Sequence, residues 1–142
     1  MLELSYDDIV EECKKLAKEI KKLKLKNPQI VGVSRGGLIP TTIIAEMLGY
    51  KDIRIIKLSS YEGKEKSEIK DLSTDTIIGF DDPIIIDDLI DSGDSVKYIQ
   101  KLYPCAKICT LYHKRDDIKV WYNGKKIDEK EWVKFPWEFS QC

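Results

Sequence analysis

The chain has 142 residues, 42% hydrophobic and 35% charged, with 24 Lys and Arg against 25 Asp and Glu. This size and balance predict one globular domain over residues 1–142 and exclude a disordered chain or a strongly basic nucleic-acid binder. Four cysteines without a C-x-x-C, and a single histidine, argue against a structural zinc site and for reduced thiols in a cytoplasm.

No run approaches the ~18 apolar residues of a membrane span. The opening MLELSYDDIV is acidic where a signal peptide needs positive charge. Ser5 followed by Asp8 resembles a capping box with Asp in place of Glu or Gln. Behind it Ile9, Cys13, Leu16, Ile20 and Leu23 recur at three- and four-residue spacing and predict one face of a helix. The lysines between positions 14 and 26 fall mainly on the other face. They read as a solvated surface, because the bulky aromatics of a membrane anchor are missing.

Asn27-Pro28 breaks that helix, and QIVGV (29–33) reads as a short buried strand. It runs into Ser34-Arg35-Gly36-Gly37 and a helix Leu38–Leu48 closed by Gly49. Glycines let a backbone approach a ligand, and an arginine beside them suits an oxyanion. A βα turn whose glycines serve only backbone geometry fits the same residues. Residues 53–60 form the next strand, ending at Ser59-Ser60-Tyr61. Residues 62–75 (EGKEKSEIKDLSTD) are charged and nearly free of apolar side chains, as a long polar lid loop would be. A short strand is expected at 76–80, and a turn at Asp82-Pro83.

Residues 84–95 read IIIDDLIDSGDS. Three isoleucines lead to Asp87-Asp88, then Leu89, Ile90, Asp91 and a turn of Ser92, Gly93, Asp94 and Ser95. Carboxylates at the carboxyl end of a buried strand can hold sugar hydroxyls or Mg²⁺. Backbone N–H groups at the following helix start can hold a phosphate. A calcium or phospho-acceptor pair is the competing reading, but the spacing fails D-x-D-x-D-G. The helix carried by Val96, Ile99, Gln100 and Tyr103 ends at Pro104. KICTLY (107–112) is a strand terminating at His113-Lys114, and Ile118 to Tyr122 is strand-like before Asn123-Gly124, a hairpin signal. The tail WVKFPWE (132–138) is dense in aromatics.

Strand and helix alternate, so the fold class is α/β with a mostly parallel sheet. Ligands of such sheets bind outside the carboxyl ends of the strands. That rule gathers residues 34–37, Ser60-Tyr61, residues 87–95 and Lys114 on one edge.

These residues resemble the type I phosphoribosyltransferases, which move ribose 5-phosphate from phosphoribosyl pyrophosphate (PRPP) to a nitrogenous base. IIIDDLIDSGDS is similar to the family's PRPP signature and VGVSRGGLIP to its pyrophosphate loop, while Ser60-Tyr61 with the charged stretch resembles its lid. His113-Lys114 and WVKFPWE resemble the 6-oxopurine branch, the xanthine-guanine and hypoxanthine-guanine enzymes. The likeness spans residues 28–138.

The resemblance implies a central sheet with a hood formed by residues 115–142. It also implies Mg²⁺ arriving with PRPP and a homodimer or homotetramer. It places Asp87 and Asp88 on the ribose hydroxyls, with Asp88 nearer the metal. Residues Leu89, Ile90, Asp91, Ser92, Gly93, Asp94 and Ser95 then complete the PRPP cradle, and Arg35 and Gly36 hold pyrophosphate. Asp91 becomes the general base at purine N7, Lys114 the donor to O6, Trp132 the stacking ring and Val133 a backbone contact to the base. Trp137 is expected in the core or an interface.

Three departures from the family's pattern stand out: Asp94 inside the phosphate turn, a lid without arginine, and Lys134-Phe135 in the tail. Two other functions fit the same fold: a sensor of PRPP or nucleotide that does not turn over, and a transferase for another base such as a pyrimidine.

Overall fold

The computed structural model describes residues 1–26, 28–62, 67–71 and 83–141. In chain order the elements are β1 (Leu2–Glu3), α1 (Tyr6–Lys22), β2 (Ile30–Ser34), α2 (Leu38–Leu48), β3 (Ile53–Glu62), β4 (Ser67–Asp71), β5 (Ile84–Ile90), α3 (Asp94–Leu102), β6 (Lys107–His113), β7 (Lys125–Lys126) and β8 (Val133–Lys134).

The capping box sets the start of α1. The Ser5 hydroxyl accepts from the Asp8 N–H at 3.1 Å, and the Asp8 carboxylate accepts from the Ser5 N–H at 2.9 Å. Such reciprocal caps are worth about 1 kcal/mol. The bond from the Ser5 backbone is also the main reason the Asp8 carboxyl lies below its usual range. Ile9, Cys13, Leu16 and Ile20 are buried as their spacing predicts, whereas Leu23 is the C-cap residue. Asn27, expected to break the helix, lies outside the described residues.

The main sheet has the order β4-β3-β2-β5-β6-β7. Its strands are parallel except for β4, which runs antiparallel to β3. Helices α1 and α2 cover one face, where Ile9, Leu16 and Ile44 meet Ile30, Ile84 and Ile86. Helix α3 covers the other, with Val96 and Ile99 against Val31, Ile85 and Ile108. Successive isoleucines of β5 thus serve opposite layers, as the two-residue strand period requires.

A second, two-stranded parallel sheet pairs β1 with β8. The Leu2 N–H donates to the Trp132 carbonyl at 2.8 Å, and the Leu4 N–H to the Lys134 carbonyl at 2.9 Å. Behind it Phe135 is buried, edge-on to Tyr112 at 6.0 Å and stacked on Trp137 at 4.9 Å. Trp137 therefore joins the core packing, as expected. No described helix is long and apolar enough to cross a membrane.

Several local expectations change. Strand β5 continues past Asp87-Asp88 to Ile90, and α3 already starts at Asp94, so the turn is shorter than four residues. Strand β3 runs past Ser60, its expected last residue, through Tyr61 to Glu62. The described part of the expected lid loop, Ser67–Asp71, is a strand paired with β3, so backbone pairing replaces the expected irregular loop. The strand expected at 76–80, and Asp82 of the expected turn, lie outside the described residues.

Residues 118–122 form no strand beyond a bridge from Tyr122 to Cys109, and Asn123-Gly124 makes no hairpin. Gly124 takes φ +66° but sits against the backbone of β6, where an added Cβ would meet the Thr110 carbonyl at 2.9 Å and Leu111 still more closely. Its lack of a side chain serves that close approach, and the chain then continues as β7, parallel to β6.

Candidate active site

The strand order reverses between β2 and β5: the crossover through α2 leads from β2 to β3 on one side, and β5 takes the other. This is the topological switch point at which open α/β sheets bind ligands. The expected loops follow the adjacent strands β2, β5 and β6 at one edge, and Ser60-Tyr61 sit near the carboxyl end of β3.

Asp87 and Asp88 close the approach to that edge. The Asp88 N–H donates to Asp87 Oδ1 at 2.8 Å. Burial pushes the Asp87 carboxyl well above the usual carboxylate range, and the neighbouring Asp88 pushes it further. Burial also raises Asp88, partly offset by its hydrogen bond with Asp87. Two carboxylates this close titrate as a pair and favour a partner that brings hydroxyl donors or positive charge.

Opposite them, the loop after β2 carries Arg35, which is exposed, and Gly36. The Ser34–Arg35 peptide is cis. A side chain at Gly36 would run into the Asp88 carboxylate, so the glycine makes room for that carboxylate against the loop after β2. Two partly buried carboxylates on adjacent residues are the hard oxygen donors that suit a divalent cation such as Mg²⁺, which keeps waters and substrate oxygens in its shell. Among the described residues no three His, Cys, Asp or Glu side chains gather as a metal cage.

Leu89 and Ile90 turn their side chains into the two cores, which leaves only their backbone for a ligand. After them Asp91 is exposed, and Gly93, at φ +87°, caps α3. The first N–H groups of a helix lack intrahelical partners, and here they open onto the turn of Ser92, Gly93, Asp94 and Ser95. Asp94, the departure from the family's pattern, is exposed at the first position of α3, and its N–H donates to Ser92 Oγ at 3.3 Å.

The pairing of Ile90 with His113 sets the next residues of β5 and β6 side by side. The Lys114 N–H donates to the Ile90 carbonyl at 2.9 Å, and Lys114 Nζ stands 3.7 Å from Asp91 Oδ1. The lysine side chain is only 9% exposed while that of Asp91 is 70% exposed, so a buried stem delivers an ammonium to the cleft. His113 is anchored behind it, with Nδ1 2.9 Å from the Asn123 carbonyl and Nε2 3.2 Å from Asp116 Oδ1.

Of the hood residues, Val133 lies in β8 and Trp132 just before it, with the indole 73% exposed. The structure therefore brings together Arg35, Gly36, Asp87, Asp88, the 91–95 turn and Lys114. It leaves Trp132 a ring exposed at the surface. Sequence reasoning missed Arg115, whose guanidinium reaches the Ser92 carbonyl at 2.9 Å. Its only sequence signal is its place after Lys114 in a charged run.

A mostly parallel sheet with an acidic pair and a glycine-capped helix start at its switch point is the arrangement with which open α/β folds hold phosphorylated ligands. The profile of the phosphoribosyl transferase domain matches residues 5–141, and the chain belongs to that family: it is an enzyme that transfers ribose phosphate. It is 29% identical over 137 residues to the xanthine-guanine phosphoribosyltransferase of Idiomarina loihiensis, covering 90% of this chain and 83% of that one. The purine phosphoribosyltransferase of Pyrococcus horikoshii superposes with a TM-score of 0.80 at 25% identity, covering 99% of this chain and 96% of that one. The hypoxanthine phosphoribosyltransferase of Staphylococcus aureus gives 0.73 at 27% identity, over 89% and 76% of the two chains.

Proposed function

We propose that this protein is a purine-salvage enzyme joining a 6-oxopurine (guanine, xanthine or hypoxanthine) to the ribose 5-phosphate of PRPP, with release of pyrophosphate. The observation that carries the reading is the Lys114 ammonium beside the Asp91 carboxylate, on adjacent strand ends next to the phosphate turn. A donor and a proton acceptor side by side match the O6 and N7 edge of a 6-oxopurine. The purine names of the relatives agree.

Cleavage of the C1′–pyrophosphate bond builds positive charge on the ribose and negative charge on the leaving group. Asp87 and Asp88 hold the 2′- and 3′-hydroxyls, and their negative charge lies near the developing ribosyl cation. Arg35 and the Gly36 amide receive the pyrophosphate. Asp88 would hold Mg²⁺, which would supply charge neutralisation for that leaving group.

As purine N9 bonds to C1′, the N7 proton passes to Asp91. Lys114 donates to O6, Trp132 covers the ring and the Val133 backbone meets the exocyclic edge. Ser60, Tyr61 and the segment at 62–75 act as the lid that excludes water from the cation. By analogy with the family the enzyme works as a cytoplasmic homodimer or homotetramer.

The test is a PRPP assay with guanine, xanthine, hypoxanthine, adenine and uracil, each with and without Mg²⁺. Nucleotide formed from 6-oxopurines alone supports the reading. Pyrophosphate released without any base, PRPP bound without turnover, or uracil as the best acceptor would each overturn it. Lys114→Ala should lower kcat/KM for guanine by roughly 10–100-fold, the worth of a hydrogen bond from a charged donor, and leave the poor rate with adenine unchanged. Steady-state kinetics with both bases checks this.

A further inference from the structure

The turn at 92–95 has few bonds of its own. Within it are the long contact from the Asp94 N–H to Ser92 Oγ and the first helical bond, from the Lys97 N–H to the Gly93 carbonyl at 3.0 Å. Support comes instead from the segment after β6. Arg115 Nη1 donates to the Ser92 carbonyl at 2.9 Å, while its Nε donates to Asp117 Oδ1 at 2.9 Å and its Nη2 to Asp117 Oδ2. One residue further on, Ile118 is buried directly under Gly93, where an added Cβ would lie 2.8 Å from its Cδ1.

We propose that Arg115 is a positioning residue for the phosphate turn, held by the Asp117 fork so that its remaining arm fixes the Ser92 carbonyl. The proposal rests on residues 92–95 being the 5′-phosphate cradle. A carbonyl oxygen facing a phosphate would repel it. The guanidinium occupies that oxygen and leaves the amides of the turn as donors. A planar fork does this with geometry that an ammonium lacks, because two of its edges are engaged at once.

The guanidinium's own hold on Asp117 is also visible in its electrostatics. The Asp117 carboxylate is the main reason the Arg115 pKa lies above its usual value, and the Asp94 charge acts in the same direction. Arg115 touches no reacting atom, so its effect belongs in PRPP binding.

Arg115→Ala is expected to raise the KM for PRPP about tenfold, with kcat and the KM for the purine within about twofold of the parent. Arg115→Lys should fall between the two, and Asp117→Asn should shift the same parameter less. A merely structural role would lower kcat and both KM values together instead of moving the KM for PRPP alone. Thermal melts identify any variant that fails to fold, and Asp117→Asn then carries the test.

Ser95→Glu, which places a carboxylate in the cradle, separates the two levels. If it raises the KM for PRPP while Arg115→Ala and Asp117→Asn do not, the positioning role is wrong. If it too changes nothing, the cradle reading falls and the proposal with it. An equal rise in the KM for PRPP and for purine would also overturn the positioning role.

Discussion

Asp91→Ala is expected to lower kcat by roughly 10²–10⁴-fold, the usual worth of a positioned general base, without unfolding the protein. The side chain is 70% exposed, and its ion pair with Lys114, at 3.7 Å, is long. Long and open to solvent on the Asp91 side, the pair contributes on the order of 1 kcal/mol although Lys114 is buried, so the melting temperature should move by only a few degrees. Asp91→Asn is the sharper probe, since it keeps the shape and one acceptor but cannot take the N7 proton. It should lose nearly as much kcat as alanine while binding PRPP normally. Steady-state kinetics at saturating PRPP and purine, paired with a thermal melt, separates these outcomes. Full kcat in a folded Asp91→Ala would remove Asp91 from the chemistry.

Asp87→Asn is expected to make the free protein more stable and the enzyme far weaker. Burial and the adjacent Asp88 raise the folded pKa of Asp87. Between its unfolded value, about 3.9, and that raised value, the native state keeps a proton that the unfolded chain has lost. Stability therefore falls as pH rises through this window and is recovered as pH drops back through it. The amide has no charge to desolvate, so the variant should lose most of this slope. It should also melt higher at neutral pH, each 1 kcal/mol corresponding to roughly 4 °C in a chain of this size. Binding should move the other way, because the amide neither attracts the metal nor accepts from the ribose hydroxyls as strongly. PRPP with Mg²⁺ should then raise the melting temperature of the parent and have little effect on the variant. Melts across pH 4–8, with and without PRPP and Mg²⁺, check both halves. A variant that melts lower at neutral pH would show that Asp87 stabilises the fold, the reverse of the expected sign.

A stability cost at Asp87 is what a binding site predicts. The carboxylates are held close and partly dry before the ligand arrives, and the ligand's hydroxyls and charge offset the strain. Gly36 and the acidic pair form one device in this respect, since only a glycine lets the loop backbone lie against the Asp88 carboxylate.

The sequence by itself determined the helices, the strands of the sheet interior and the loops that carry the chemistry. Those features are local. Ser5 and Asp8 cap their own helix, Ile9 to Ile20 mark one face by spacing, and IIIDD followed by a glycine turn specifies strand, carboxylates and phosphate turn within twelve residues. Only the tertiary structure decided which of these meet. The register of β5 on β6 sets Asp91 against Lys114, residues far apart in the chain. The packing of the 115–118 segment under Gly93 brings Arg115 to Ser92. Packing against β6 also turned Asn123-Gly124 from an expected hairpin into a close backbone approach and a parallel strand. Pairing across strands is set by burial of the whole sheet, so spacing along the chain carries no record of it.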